Sequence, residues 1–155
     1  MDQSSSSESR HERGLSANRA SIVIIEDNHT DVFLIKEALA ARGLNVDLTV
    51  MDDGEQGINL VSRLDADGAT LPSLILLDLN LPKADGFAVL DRVRRSKRAA
   101  NIPVLVMTSS AAEADKVKSK ALKANAYFEK PSSYEAFLKI GEIIERLLAE
   151  GSRSG

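Results

Sequence analysis

Residues 71–86 read LPSLILLDLNLPKADG. Leu74, Ile75, Leu76 and Leu77 are apolar in succession, and the run stops at Asp78, with Asn80 two residues on and Pro82 after it. A strand with one wet face alternates apolar and polar residues. Four apolar residues in a row instead describe a strand covered on both faces, as in a parallel sheet between helix layers. An acid at the end of such a strand can be a solvated turn residue, a helix cap or a reactive group, and the residues around it in space decide which.

The same kind of run recurs along the chain: SIVIIED at 21–27, VDLTVMDD at 46–53, IPVLVMTSS at 102–110 and AYFEKP at 126–131. Between these runs lie amphipathic stretches at 29–42, 54–64, 85–98, 112–123 and 133–149. In the first, Val32, Ile35 and Leu39 recur at helical spacing and Gly43 stands where a C′ residue ends a helix. Asp53-Gly54 and Asp85-Gly86 mark the starts of the second and third. Pro72, Pro82, Pro103 and Pro131 all fall at junctions, where a missing N–H does least harm. Five strand–helix units in this rhythm predict an α/β fold, a flavodoxin-like doubly wound five-stranded parallel sheet with strand order 2-1-3-4-5 and five helices.

Composition fits one soluble domain. The 155 residues are 43% apolar and 28% charged, with formal charge −3 and no tryptophan, so the core is mainly aliphatic. The small negative charge argues against a general nucleic-acid or anionic-membrane binder. The lack of cysteine excludes disulfides, thiolate metal sites and a cysteine nucleophile. No apolar run reaches the ~18 residues of a membrane span, and the N-terminus has no apolar signal core, so a cytoplasmic protein is expected. Residues 1–20, with six serines, are expected to form a flexible tail, residues 21–149 the domain, and residues 150–155 a disordered tail with no room for an output domain.

Polar residues collect where the aliphatic runs stop: Glu26-Asp27, Asp78, Thr108 and Lys130. In an open parallel sheet these strand ends share one edge, the ligand-binding edge of the architecture. Strands 1 and 3 are neighbours in the order 2-1-3-4-5, about 4.8 Å apart, so Glu26, Asp27 and Asp78 converge. Crowded carboxylates take up a proton or share a cation, and an all-oxygen set suits Mg²⁺. Lys130 adds a compact positive charge for a phosphate oxygen and Thr108 a hydroxyl, which together equip Asp78 to receive a phosphoryl group. Taken singly, each residue has a plainer reading: a loop acid, a cap or a turn hydroxyl.

Through IIED, LILLDLNLPKADGF, VMTSS and YFEKP, the chain resembles the receiver domain of two-component response regulators over about residues 20–149. The resemblance implies the following roles. Asp78 accepts phosphate from a histidine kinase. Asp27 binds Mg²⁺ directly, Glu26 acts through water, and the backbone carbonyl of Asn80 completes the metal shell. Lys130 pairs with the phosphate, ahead of a Lys130–Pro131 bond that is usually cis in the family. Thr108 moves toward the phosphate and Tyr127 turns inward with it, reshaping the face made by the fourth helix, fifth strand and fifth helix. Asn80 and Ser110 occupy positions that tune hydrolysis. The protein is then a phosphoacceptor in a phosphorelay and not a conventional enzyme. Glu26 departs from the commoner Asp by one methylene. The MTSS segment and the missing output domain look most like stand-alone regulators that serve bacterial phytochrome-type kinases; a phosphotransfer protein is the other expected partner.

Two other functions compete. A pseudo-receiver would bind partners without phosphorylation, yet such chains usually lack one of Asp27, Asp78, Thr108 and Lys130, all present here. A phosphatase of the haloacid dehalogenase type needs an acid two residues after its nucleophile, where this chain has Asn80. Lys116, Lys120 and Lys123 at i, i+4, i+7, with Lys118 nearby, read as a solvated helix face, with a dock for an acidic partner as the alternative. Arg92, Arg94, Arg95, Lys97 and Arg98 crowd a helix C-terminus, where they complement its dipole. His29 reads as a surface residue and His11 as part of the tail. In the fifth helix, Tyr134, Phe137, Leu138, Ile140, Ile143, Ile144, Leu147 and Leu148 cover an arc of roughly 220°, wider than one core-facing stripe, so a homodimer through this helix is expected.

Overall fold

A computed structural model describes residues 19–66 and 68–154. Five strands, β1 (Ala20–Ile25), β2 (Val46–Met51), β3 (Leu74–Asp78), β4 (Val104–Thr108) and β5 (Ala126–Glu129), pair in parallel in the order β2-β1-β3-β4-β5. The helices between them are α1 (His29–Ala41), α2 (Gly54–Leu64), α3 (Gly86–Arg94) and α4 (Glu113–Ala121), followed by α5 (Tyr134–Phe137) and α6 (Ile140–Ser154). Every residue of β3 and β4 is buried, whereas edge strand β2 is exposed at Asp47, Thr49 and Val50 and buried only at Met51. The consecutive apolar run therefore marks the sheet's centre, as its pattern predicts.

Alternate strand residues feed two cores. On one face Val23, Ile25, Ile75, Leu77, Val104 and Val106 pack with Val61 and Leu64 of α2 and Val89, Leu90 and Val93 of α3. On the other, Ile22, Ile24, Leu74, Leu76, Leu105 and Met107 meet Val32, Ile35 and Leu39 of α1, Phe137 of α5 and Ile144 of α6.

Helix ends follow local chemistry. Asn28, Asp53, Asp85 and Ser133 each accept an N–H from the first turn of α1, α2, α3 and α5. Gly43, at φ 65°, closes α1 by donating to Ala40 while Leu44 donates to Leu39, the paired bonds of a Schellman end.

Three boundaries differ from expectation. α3 stops at Arg94, because the backbone N–H of Arg98 is drawn to the Asp65 carboxylate instead of continuing the helix. The predicted fifth helix is two pieces, broken at Leu138–Lys139, where Lys139 and Gly141 make tight bonds to Ala136 and Leu138. Finally, α6 continues to Ser154, so the expected tail at 150–154 is helical, with Arg146 3.7 Å from Glu150 one turn on. The wide apolar arc is largely used inside the molecule: Phe137, Ile140, Ile144 and Leu147 are buried, and Leu138, Ile143 and Leu148 pack partly against the second core. Tyr134 alone of the eight is exposed. Residues 1–18, with His11, lie outside the described residues.

Candidate functional site

The register builds the site. Ile25 of β1 is level with Leu77 of β3, so the next step brings Glu26 beside Asp78. The Glu26 N–H donates to the Met51 carbonyl at 2.9 Å, prolonging the strand line, and its side chain is fully buried. Glu26 Oε2 accepts the Asn28 N–H at 3.1 Å. Asp27 is exposed, and Asp78 is buried with Oδ1 accepting the Asn80 N–H at 3.2 Å. One carboxylate oxygen from each of Glu26, Asp27 and Asp78 falls within 4.8 Å of the others. Two glycines let the following loop close in. A Cβ on Gly86 would lie 2.4 Å from the Asp78 carbonyl, and one on Gly54 1.8 Å from the Ala84 carbonyl.

Lys130 enters from β5, its N–H donating to the Thr108 carbonyl at 2.8 Å. Its Nζ donates to Glu26 Oε1 and Asp31 Oδ2, each at 2.7 Å, and stands 3.5 Å from Asp78 Oδ2. Burial alone would pull this ammonium down. The Asp31 and Glu26 hydrogen bonds, with the Glu26 and Asp78 charges, outweigh it and leave the lysine raised and firmly charged. Glu26 fares differently: burial pushes its carboxyl up to about 7, against the Lys130 bond and with the Asp78 charge in the same direction. Three acids, Glu26, Asp31 and Asp78, thus share one lysine, with Asp27 beside Glu26 and Asp78. The donor set is all hard oxygen, and its crowded negative charge leaves a deficit that a divalent cation meets, so the residues present fit Mg²⁺ or Mn²⁺.

Thr108 closes the far side. It is fully buried, and its Oγ1 accepts the Ser110 N–H at 3.2 Å and faces Asn80 Nδ2 at 3.5 Å. Tyr127, half-buried, donates its hydroxyl to the Ser110 carbonyl at 2.9 Å. Burial first, then the Asp115 charge, holds that phenol above its usual range.

The family model for the response regulator receiver domain matches residues 22–141. This chain belongs to that family. Among its relatives, the probable methanogenesis regulatory protein FilR2 of Methanothrix harundinacea is 33% identical over 133 residues, 86% of each chain. Response regulator Rcp1 of Synechocystis is 32% identical over 130 residues, covering 83% of this receiver and 88% of Rcp1. Its Mn(2+)-bound crystal structure superposes with TM-score 0.72 over 81% of this chain and 91% of that one. The phosphorylated cyanobacterial phytochrome response regulator RcpA, 34% identical, gives TM-score 0.74 over 84% and 94%.

Within the receiver, Glu26, Asp27, Asp78 and Lys130 do come together, and Thr108 and Tyr127 meet through Ser110. The Lys130–Pro131 bond is trans, correcting the cis geometry that the family resemblance implied; trans is the lower-energy form by roughly 0.5–1 kcal/mol. His29 opens α1 on the surface. Arg92 and Arg94 of α3 are structural anchors: Arg94 donates to the carbonyls of Ala100, Ile102 and Lys123, and Arg92 pairs with Asp65, while the exposed Arg95 pairs with Asp91 one turn back. Among the helix-face lysines, Lys118 Nζ sits 4.4 Å over the Phe87 ring. Asp31 was not anticipated. Its only signal is position, in the first turn of α1 directly after the loop that carries Asp27.

Proposed function

We propose that this receiver is a single-domain response regulator that accepts a phosphoryl group on Asp78 from a histidine kinase. The observation that carries the reading is the buried Asp78 carboxylate, grouped with Glu26 and Asp27 within 4.8 Å and faced by Lys130 at 3.5 Å. An Asp78 oxygen attacks the phosphorus of a phosphohistidine; the P–O bond forms as the P–N bond breaks and the imidazole leaves with the electron pair. Glu26, Asp27, Asp78 and the Asn80 backbone carbonyl would hold Mg²⁺, which when bound supplies positive charge against the oxygens of the transferring group. Lys130 turns from its carboxylates to a phosphoryl oxygen, and Thr108 brings its hydroxyl to another. Tyr127 follows, and the surface of α4, β5 and the α5–α6 pair changes for a partner.

The likeness to Rcp1 and RcpA supports a phytochrome-type histidine kinase as donor, with a phosphotransfer protein as the other source. Val117 and Tyr134, exposed on α4 and α5, support a smaller part of the proposal: a homodimer across this face. Sedimentation as a monomer at high concentration, with and without a phosphoryl analogue, would remove the dimer. The phosphoacceptor role is tested by exposing the protein to acetyl phosphate and Mg²⁺ and weighing it intact. One added phosphoryl mass is expected. Its absence leaves the unphosphorylated interaction module as the better description.

A further inference from the structure

One residue outside the acid cluster bears on both side chains of the proposed switch. Ser110 holds Thr108 and Tyr127 at once, its N–H bonded to Thr108 Oγ1 at 3.2 Å and its carbonyl taking the Tyr127 hydroxyl at 2.9 Å. The position of Ser110 is fixed in turn by its own hydroxyl, which donates to Asp115 Oδ2 at 2.6 Å and accepts the Ala112 N–H at 3.1 Å. The N-cap of α4 is Ala112, which has no side-chain acceptor to offer and whose own N–H goes to the Ser110 hydroxyl. Asp115, in the first turn of α4, therefore ties the helix start to the loop that carries Ser110.

We infer that Asp115 is a positioning residue that latches the β4–α4 loop in its resting arrangement and thereby raises the cost of switching. Thr108 Oγ1 is bonded to Ser110 and faces Asn80, not Asp78. Reaching a group on Asp78 requires it to give up the Ser110 N–H, a move the Ser110–Asp115 bond resists. Releasing the latch lowers the energy of the moved loop relative to the resting one, and a ligand favouring the moved loop then binds more tightly.

The inference rests on the phosphoacceptor reading, and the test separates the two. Affinity for beryllofluoride with Mg²⁺ is measured on the full chain for wild type, D115A, D115N and S110A. The expected result is binding about fivefold tighter in D115A and S110A, the scale of one part-exposed hydrogen bond, with D115N near wild type because Asn retains the acceptor oxygen. The double variant S110A/D115A is expected to bind no more tightly than S110A, which already removes the Ser110–Asp115 bond together with the acceptor of the Ala112 N–H. Wild-type affinity in D115A, or an equal change in D115N and D115A, would overturn the latch while leaving the phosphoacceptor reading intact. Failure of the wild type to bind beryllofluoride or take up phosphoryl would overturn that reading first. Because D115N restores the bond without the charge, its agreement with wild type also separates positioning from a general loss of helix stability.

Discussion

Two charged clusters sit at opposite ends of this sheet, and they are built on different terms. At the end where α2 and α3 finish, Asp65 accepts from the Ser96 hydroxyl, the Arg98 N–H and Arg92. Arg98 donates to the carbonyls of Leu64, Ala66 and Ala69 at 2.8, 2.9 and 2.8 Å. Donors and acceptors match, and the Ser96 hydroxyl, with the Arg98 amide and Arg92, holds the Asp65 carboxyl below the usual carboxylate range. At the strand C-termini, Glu26, Asp31 and Asp78 crowd around Lys130, Asp27 adds a further carboxylate beside Glu26 and Asp78, and Glu26 is pushed up to about 7. A saturated cluster is a staple. A cluster short of positive charge is a site waiting for a ligand, and that contrast separates structure from function where composition alone does not.

The contrast can be broken most easily at Asp27, the exposed acid of the cluster. Asp27→Asn removes an exposed carboxylate, so folding is expected to change little while Mg²⁺ affinity by calorimetry falls on the order of a hundredfold, about 2.7 kcal/mol. An unchanged affinity would remove Asp27 from the metal site. At the other cluster, Arg98→Ala strands three carbonyls and is expected to cost roughly 2 kcal/mol in urea unfolding, with Mg²⁺ affinity intact. A loss of metal binding there would show the two ends are coupled after all.

The pH dependence sharpens the comparison further. Glu26 has its folded pKa raised from 4.5 to about 7, so its contribution to stability is complete below pH 4.5 and is lost as pH rises through 7. Without divalent metal, stability is expected to drop on the order of 2 kcal/mol between pH 4.5 and 7.5, and Glu26→Gln flattens that slope. Asp65, whose pKa is lowered, loses its contribution only at lower pH, so the saturated cluster is silent in this window. The smallest effect is expected of Asp31→Asn. It keeps an acceptor for Lys130 and removes one charge, costing about 1 kcal/mol of stability. No change would mean Glu26 and Asp78 hold the lysine without the Asp31 charge.

The sequence was informative wherever a pattern reports burial. LILLD located the central strand and its terminal acid because two-faced coverage forbids alternation. Strand order then brought Glu26 beside Asp78 through the parallel register of β1 and β3. What pattern does not report is which polar partners meet across loops. Asp31 reads as a first-turn acid on α1, and only the path of Lys130 from β5 makes it a site residue. Arg94 and Arg98 read as surface cations because nothing local announces the carbonyls they reach. The break at Leu138–Lys139 was hidden because both halves keep apolar residues at helical spacing. The extension of α6 to Ser154 was hidden by Gly151 and the serines, which weigh against helix on propensity.

The central claim is that Asp78 is the acceptor this edge of the sheet was assembled to serve. Intact mass after incubation with acetyl phosphate and Mg²⁺, on wild type and Asp78→Asn in parallel, tests it most directly. Wild type is expected to gain a single phosphoryl mass that is lost in EDTA-treated reactions, and Asp78→Asn none. An equal gain on Asp78→Asn, or no gain on wild type with Mg²⁺ present, would contradict it.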